Sequence, residues 1–221
     1  MLRLLKRKMD MLKKDKYDGF FSGLYKRNET FLILSATIFV ISIFVGYAFS
    51  GALDSILSVV MSEFKKKITE GQLKLTTLSI FTNNIQIALF IYLGGLVLGI
   101  GTFYFLALNG LFIGYAATQY QLGNFVVYTI PHGVFEVIGI IIAGAAGFRL
   151  TSWIVNVFKD MLHIRSDIST VTQMKYVFES HMDEISESLK LFVIAVVLLI
   201  IAAFIEANLS IAWGNYIQST L

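Results

Sequence analysis

Four runs in this chain are long and apolar enough to cross a bilayer: Phe31 to Ser50, Asn84 to Leu108, Ile130 to Leu150 and Leu191 to Asn208. A hydrocarbon core about 30 Å thick takes about 20 helical residues, and within it every backbone N–H and C=O must find its partner inside the protein. With 56% hydrophobic side chains in 221 residues, the apolar surface also exceeds what one soluble core of this size can hide. The expected class is therefore all-α: a polytopic membrane helix bundle of about five transmembrane helices, with interfacial amphipathic helices.

The fifth span is the stretch Leu111 to Tyr128, which carries Gln119, Gln121 and Asn124. Those amides leave three options: crossing the bilayer, burial against other helices, or a re-entrant turn. Charge decides for a crossing. With five spans and the amino terminus inside, the nine basic residues before position 28 share a side with Arg149, Lys159, Arg165, Lys175 and Lys190, against only Lys65, Lys66, Lys67 and Lys74 outside. Four spans would split the basic residues evenly, which the positive-inside bias does not favour. The expected topology is a multi-pass cell-membrane protein, amino terminus cytoplasmic and carboxyl terminus outside.

Residues 1–30 read as a basic amphipathic cytoplasmic segment, because Leu2, Leu5, Met9 and Leu12 recur near helical spacing among Arg3, Lys6, Arg7, Lys8, Lys13, Lys14 and Lys16. Such a segment suits anionic lipid better than nucleic acid, so membrane lipids are expected partners and nucleic acid is not. No apolar core of signal-peptide type precedes Phe31, and the first run is expected to stay as an anchor. The membrane domain is expected over 31–208, with an outer loop at 51–83 and an inner amphipathic segment at 151–190; residues 209–221 would form an outer tail. In the outer loop, Leu53, Ile56, Val60, Phe64 and Ile68 predict an amphipathic helix resting on the membrane surface. Within 151–190, Trp153, Val157 and Phe158 alternate with Asp160, Glu184 and Glu187, which suits interfacial helices, a docking surface, or both.

Small residues four apart, at Gly95 and Gly99, Gly110 and Gly114, and Gly139, Ala143 and Gly147, are expected on helix faces where backbones approach closely. Packing inside the chain is the favoured use, and a homo-oligomer interface the alternative. The chain has no cysteine, which removes disulfides, thiolate metal sites and cysteine nucleophiles together.

Three stretches carry a resemblance: Asn83-Asn84-Ile85-Gln86-Ile87-Ala88-Leu89 leading to Asn109-Gly110; Pro131-His132-Gly133 with Glu136 and Ala143-Gly144-Ala145-Ala146-Gly147; and Ala202-Ala203-Phe204-Ile205-Glu206-Ala207. Over roughly residues 80 to 208 the chain resembles the stage II sporulation protein M family of integral membrane proteins. The resemblance implies an all-helical protein of about five spans that acts as a scaffold in a cell-wall remodelling complex, or that accompanies transport or peptide-bacteriocin genes. Two positions depart from the family pattern: Thr151 follows Leu150 where glycine is common, and no Thr-Pro pair follows Glu206.

The polar residues of the spans define the candidate site. His132 and Glu136 are four apart and share a helix face, with Pro131 expected to begin their helix at the outer side. Glu206 approaches the outer end of the last helix, and Asn83 and Asn84 begin the second span from the same side. These five residues are expected to converge beneath the outer surface, as fasteners between helices or as a proton- or peptide-binding site. Two side chains do not make a metal centre, and Glu206 is the obvious third ligand; no metal and no cofactor is assigned. His163 and His181 are expected to be solvated or interfacial. The second histidine of a His-Glu-x-x-His protease helix is missing, and so is a Gly-Lys-Ser/Thr phosphate loop, so nucleotide-driven work would require an ATPase in trans. The leading expectation is a non-enzymatic subunit that organises other membrane-complex subunits. A peptide transport or export component, for bacteriocin secretion or immunity, is the alternative; a membrane enzyme ranks last.

Overall fold

A computed structural model describes residues 19–162 and 170–220. The basic residues Arg3 to Lys16 of the amphipathic segment, together with His163 and Arg165, lie outside the described residues. The described chain forms α1 (Phe20–Ala48), α2 (Ser50–Thr69), α3 (Thr77–Leu93), α4 (Ile100–Thr118), α5 (Leu122–Met161), α6 (Thr170–Ser180), α7 (Met182–Asn208) and α8 (Ser210–Thr220), with a single 3₁₀ turn at Gly94–Leu96. No strand occurs among the described residues. Five helices are long and apolar enough to cross a membrane: α1, α3 with its 3₁₀ turn, α4, α5 and α7.

The number of spans agrees with the sequence expectation, but their boundaries differ. The run 84–108 is not one helix. It breaks after the 3₁₀ turn, where Leu98 and Gly99 take φ of 51° and 79°. At Gly99 the left-handed backbone suits a residue without Cβ. The turn is also compact, because Gly94 and Gly101 meet backbone to backbone and the Thr102 hydroxyl donates to the Ile91 carbonyl at 2.8 Å. Nor is Leu111 to Tyr128 a separate span. Its first half belongs to α4 and its second half to α5, while Gln119 and Gln121 stand exposed at the turn between them.

Pro131 lies inside α5 rather than at its start. The helix begins at Leu122 and runs for 40 residues, about 60 Å at 1.5 Å per residue and about twice the hydrocarbon thickness. It therefore extends beyond the bilayer, and much of the inner segment expected at 151–190 is the continuation of α5 and the start of α7. Most of the expected outer tail is also helical: α8 packs on the first turns of α5, with Gly214 seated against the Tyr128 ring.

Helices α5 and α7 pack antiparallel, and α1, α3 and α4 close around them. The central core joins Phe39, Ala88, Ile91, Leu106, Ile140, Ala143, Ala195 and Leu199. Gly110 and Gly114 let α4 ride on the α1 backbone at Phe39 and Ile43, and Gly139 lies against Ala195 and Leu199 of α7. Gly147 meets Thr102 and the Ile91 carbonyl. Gly95 and Gly99 do not share a helix face as expected. Gly95 is in the 3₁₀ turn, against the Gly147 backbone, and Gly99 follows that turn. On the outside of the bundle, Ile33, Val40 and Phe44 stay exposed, the arrangement expected where the surrounding solvent is lipid.

The amphipathic helix expected in 51–83 is α2, but it buries a rotated face. Leu57 and Met61 are covered by Tyr115 and Ala116 of α4, with Leu53 and Phe64 at the margin, while Ile56 and Ile68 remain exposed. The Tyr115 hydroxyl donates to Asp54, which fixes that rotation.

Candidate functional site

The site lies where α7 gives way to α8. Leu209 breaks the helix with φ −120°, its amide still bonded to the Ile205 carbonyl, and α8 restarts at Ser210. Opposite this break stand the residues that follow Pro131 in α5. His132, Glu136 and Glu206 each bring one ligand atom into a group whose members all lie within 4.8 Å of one another. His132 Nε2 is 3.9 Å from a Glu206 carboxylate oxygen, with the His132 side chain 12% and the Glu206 side chain 30% exposed.

Hydrogen bonds fix the imidazole. His132 Nδ1 lies 2.8 Å from the Ser210 hydroxyl, and that hydroxyl donates to the Ile205 carbonyl at 3.4 Å. The bond to Ser210 holds the ring with Nε2 on the Glu206 side. Two carboxyl groups and an imidazole nitrogen thus face one another. Among the described residues, no lysine or arginine forms an ion pair with Glu136 or Glu206.

The asparagines expected to complete this cluster stand apart from its bonding. Thr77 at the start of α3 accepts from Asn208 at 3.3 Å, so the asparagine turn of α3 does lie near this end of the bundle. Asn83 donates to Asn84 at 3.4 Å, and the buried amide nitrogen of Asn84 has no hydrogen-bond partner. Neither hydrogen-bonds to His132, Glu136 or Glu206. The site is therefore a set of three side chains on two helices.

A second polar set at the opposite end escaped the sequence reading. Arg27 of α1 forks onto Glu187 of α7 through Nε and Nη2, both at 3.1 Å, and Asn28 and Lys190 add bonds at 3.0 and 3.1 Å. One turn earlier, Asn156 donates to both oxygens of Glu184, and His181 joins Asp160 at 2.9 Å. His181, expected to be solvated or interfacial, is buried and paired, because α5 continues far enough to bring Asp160 beside it. The signal that could have found this set is the spacing Glu184, Glu187, Ser188 and Leu191, a polar stripe continuous with the buried face of α7.

Beside this end lies α6, a single amphipathic helix. Val177 is buried and Phe178 packs near Trp153 at 6.2 Å, whereas Val171 and Tyr176 are 76% and 50% exposed.

Comparison with known proteins gives one family. A family profile described as Stage II sporulation protein M matches residues 35–211. Two uncharacterized proteins of Methanocaldococcus jannaschii are similar. One is 28% identical over 144 residues, which is 63% of this chain and 73% of the relative. The other is 21% identical over 193 residues, 83% of each. No solved structure matches.

Proposed function

This chain belongs to the stage II sporulation protein M family, and from that membership we propose that it is a non-enzymatic integral subunit that organises a membrane complex. The observation that carries the reading is α6. Val177 is its buried residue, while Val171, Met174 and Phe178, spaced three and four residues apart on one helix face, stay exposed beside the charged Lys175 and Glu179. An apolar strip with a charged rim, placed at the end of the bundle where α5 outruns the bilayer, has the make-up of a docking face for a second subunit. The end carrying Lys26, Arg27, Lys159, Lys175 and Lys190 faces the cytoplasm in this reading, as the positive-inside bias supports.

Since the chain has no cysteine, a Val171→Cys variant carries one unique thiol. Expressed in its own membrane and treated with a permeant, thiol-directed photocrosslinker, it should give a protein adduct of defined mass. The same neighbour should co-purify with the wild type in mild detergent. An impermeant thiol reagent should modify the variant only after the cells are opened. Adducts with lipid alone, or labelling of intact cells, would overturn the reading.

A further inference from the structure

We propose that His132, Glu136 and Glu206 bind one divalent transition-metal ion of the zinc type, through His132 Nε2 and one carboxylate oxygen from each glutamate. The first support is geometric: the three ligand atoms already lie within 4.8 Å of one another. Ligands at about 2.0–2.1 Å from a tetrahedral zinc are about 3.3 Å apart, so side-chain rotations of about an ångström close the set. The backbones need not move. Gly139, three residues beyond Glu136, holds α5 against Ala195 and Leu199 and fixes the spacing of the two helices.

Independent support comes from Ser210. Its hydroxyl lies 2.8 Å from His132 Nδ1 and engages that nitrogen, which leaves Nε2 as the ring nitrogen facing Glu206. A polar group on the far nitrogen of a metal-binding imidazole is the usual way in which tautomer and ring orientation are set. Charge gives a third argument. Two carboxylates share one half-buried site, and no lysine or arginine of the described residues pairs with them, so a cation from outside removes the repulsion. The partly exposed Glu206 side chain gives that ion an entry and leaves a fourth position for water. A nitrogen among three ligands points to zinc-type ions over magnesium or calcium, which favour all-oxygen shells.

The test uses the full chain, purified in detergent, with any histidine tag removed and bound metal stripped by a chelator. Equilibrium dialysis with Zn²⁺ should show one ion per chain, with a Kd of about 1 µM or tighter, and excess Mg²⁺ should not displace it. Co²⁺ in its place should give the visible absorption of a four-coordinate site, with one nitrogen in its X-ray absorption shell. His132→Gln and Glu206→Gln should each abolish saturable binding. Ser210→Ala, which spares all three ligands, should weaken binding by about 10- to 100-fold. No saturable Zn²⁺ binding by the wild type, or binding unchanged in both ligand variants, would overturn the proposal; a shared proton would then account for the cluster. If the ligand variants fail to fold, the Co²⁺ spectrum of the wild type decides, and an all-oxygen shell counts against the site.

Discussion

The two ends of the α5–α7 pair hold carboxylates in opposite ways. At one end, Glu187 receives a forked guanidinium from Arg27, an amide from Asn28 and an ammonium from Lys190, with the Arg27 and Glu187 side chains only 8% and 5% exposed. The Glu187 charge is answered there by Arg27 of α1 and by Lys190 of its own helix. At the other end, Glu136 and Glu206 converge with the His132 imidazole and with no chain-supplied ammonium or guanidinium among the described residues. The first arrangement closes the bundle. The second leaves a charge to be supplied from outside, and in a low-dielectric setting that difference is large. Removing a carboxylate should therefore have opposite signs at the two ends.

The largest effect is expected from Glu187→Ala. It strips the buried Arg27 of its bidentate partner, and breaking one side of a buried pair costs about 3–5 kcal/mol. Thermal unfolding of the detergent-solubilised chain, followed by helical circular dichroism, should show a clear fall in midpoint. An Arg27→Leu, Glu187→Leu double variant should recover most of the loss, because well-packed apolar residues of similar volume commonly replace a buried ion pair at little cost. If the double variant is no better than the single one, the network is not a closed pair and the contrast between the ends weakens.

At the His132 end the sign should reverse. In metal-free protein, Glu136→Gln removes one of two facing carboxylates, so stability should hold or rise by on the order of 1 kcal/mol. With Zn²⁺ added, the wild type should gain stability by ligand linkage and the variant should not. A Glu136→Gln variant that unfolds as readily as Glu187→Ala would show that both ends are structural fasteners.

Much of this organisation is legible in the sequence because lipid imposes a simple rule: span-length apolar runs and charge asymmetry suffice to count five helices. The break at Val97–Gly99 was hidden because the turn is itself apolar and is closed by glycine contacts and by Thr102, with no polar residue to mark it. Gln119 and Gln121 carried the opposite ambiguity, since amides fit a turn as readily as a packed span interior. Of the site, His132 and Glu136 were visible as a helical pair and Glu206 as an isolated charge in an apolar run. Ser210 was not, because its role depends on a helix break that brings a serine 78 positions away beside an imidazole. Arg27 and Glu187 were hidden for the same reason, 160 positions apart and each reasonable as an ordinary surface charge.

The smallest effect concerns how Ser210 is held at that end. Helix α8 lies along the start of α5, where the Tyr128 ring covers Gly214 and its hydroxyl lies 2.8 Å from Asn215 Oδ1 and 3.2 Å from Gln218 Oε1. One proton serves both acceptors near solvent, so the hydroxyl contributes about 0.5 kcal/mol, whereas the ring sets the distance between the helices. Tyr128→Phe keeps the ring and loses the hydroxyl. Its unfolding midpoint should barely move, and its Zn²⁺ affinity should stay within about threefold of the wild type, in contrast to the larger loss expected for Ser210→Ala. A collapse of Zn²⁺ affinity in Tyr128→Phe would mean that hydrogen bonds, not packing, place Ser210. The His132 end would then depend on a polar network, as the Glu187 end does.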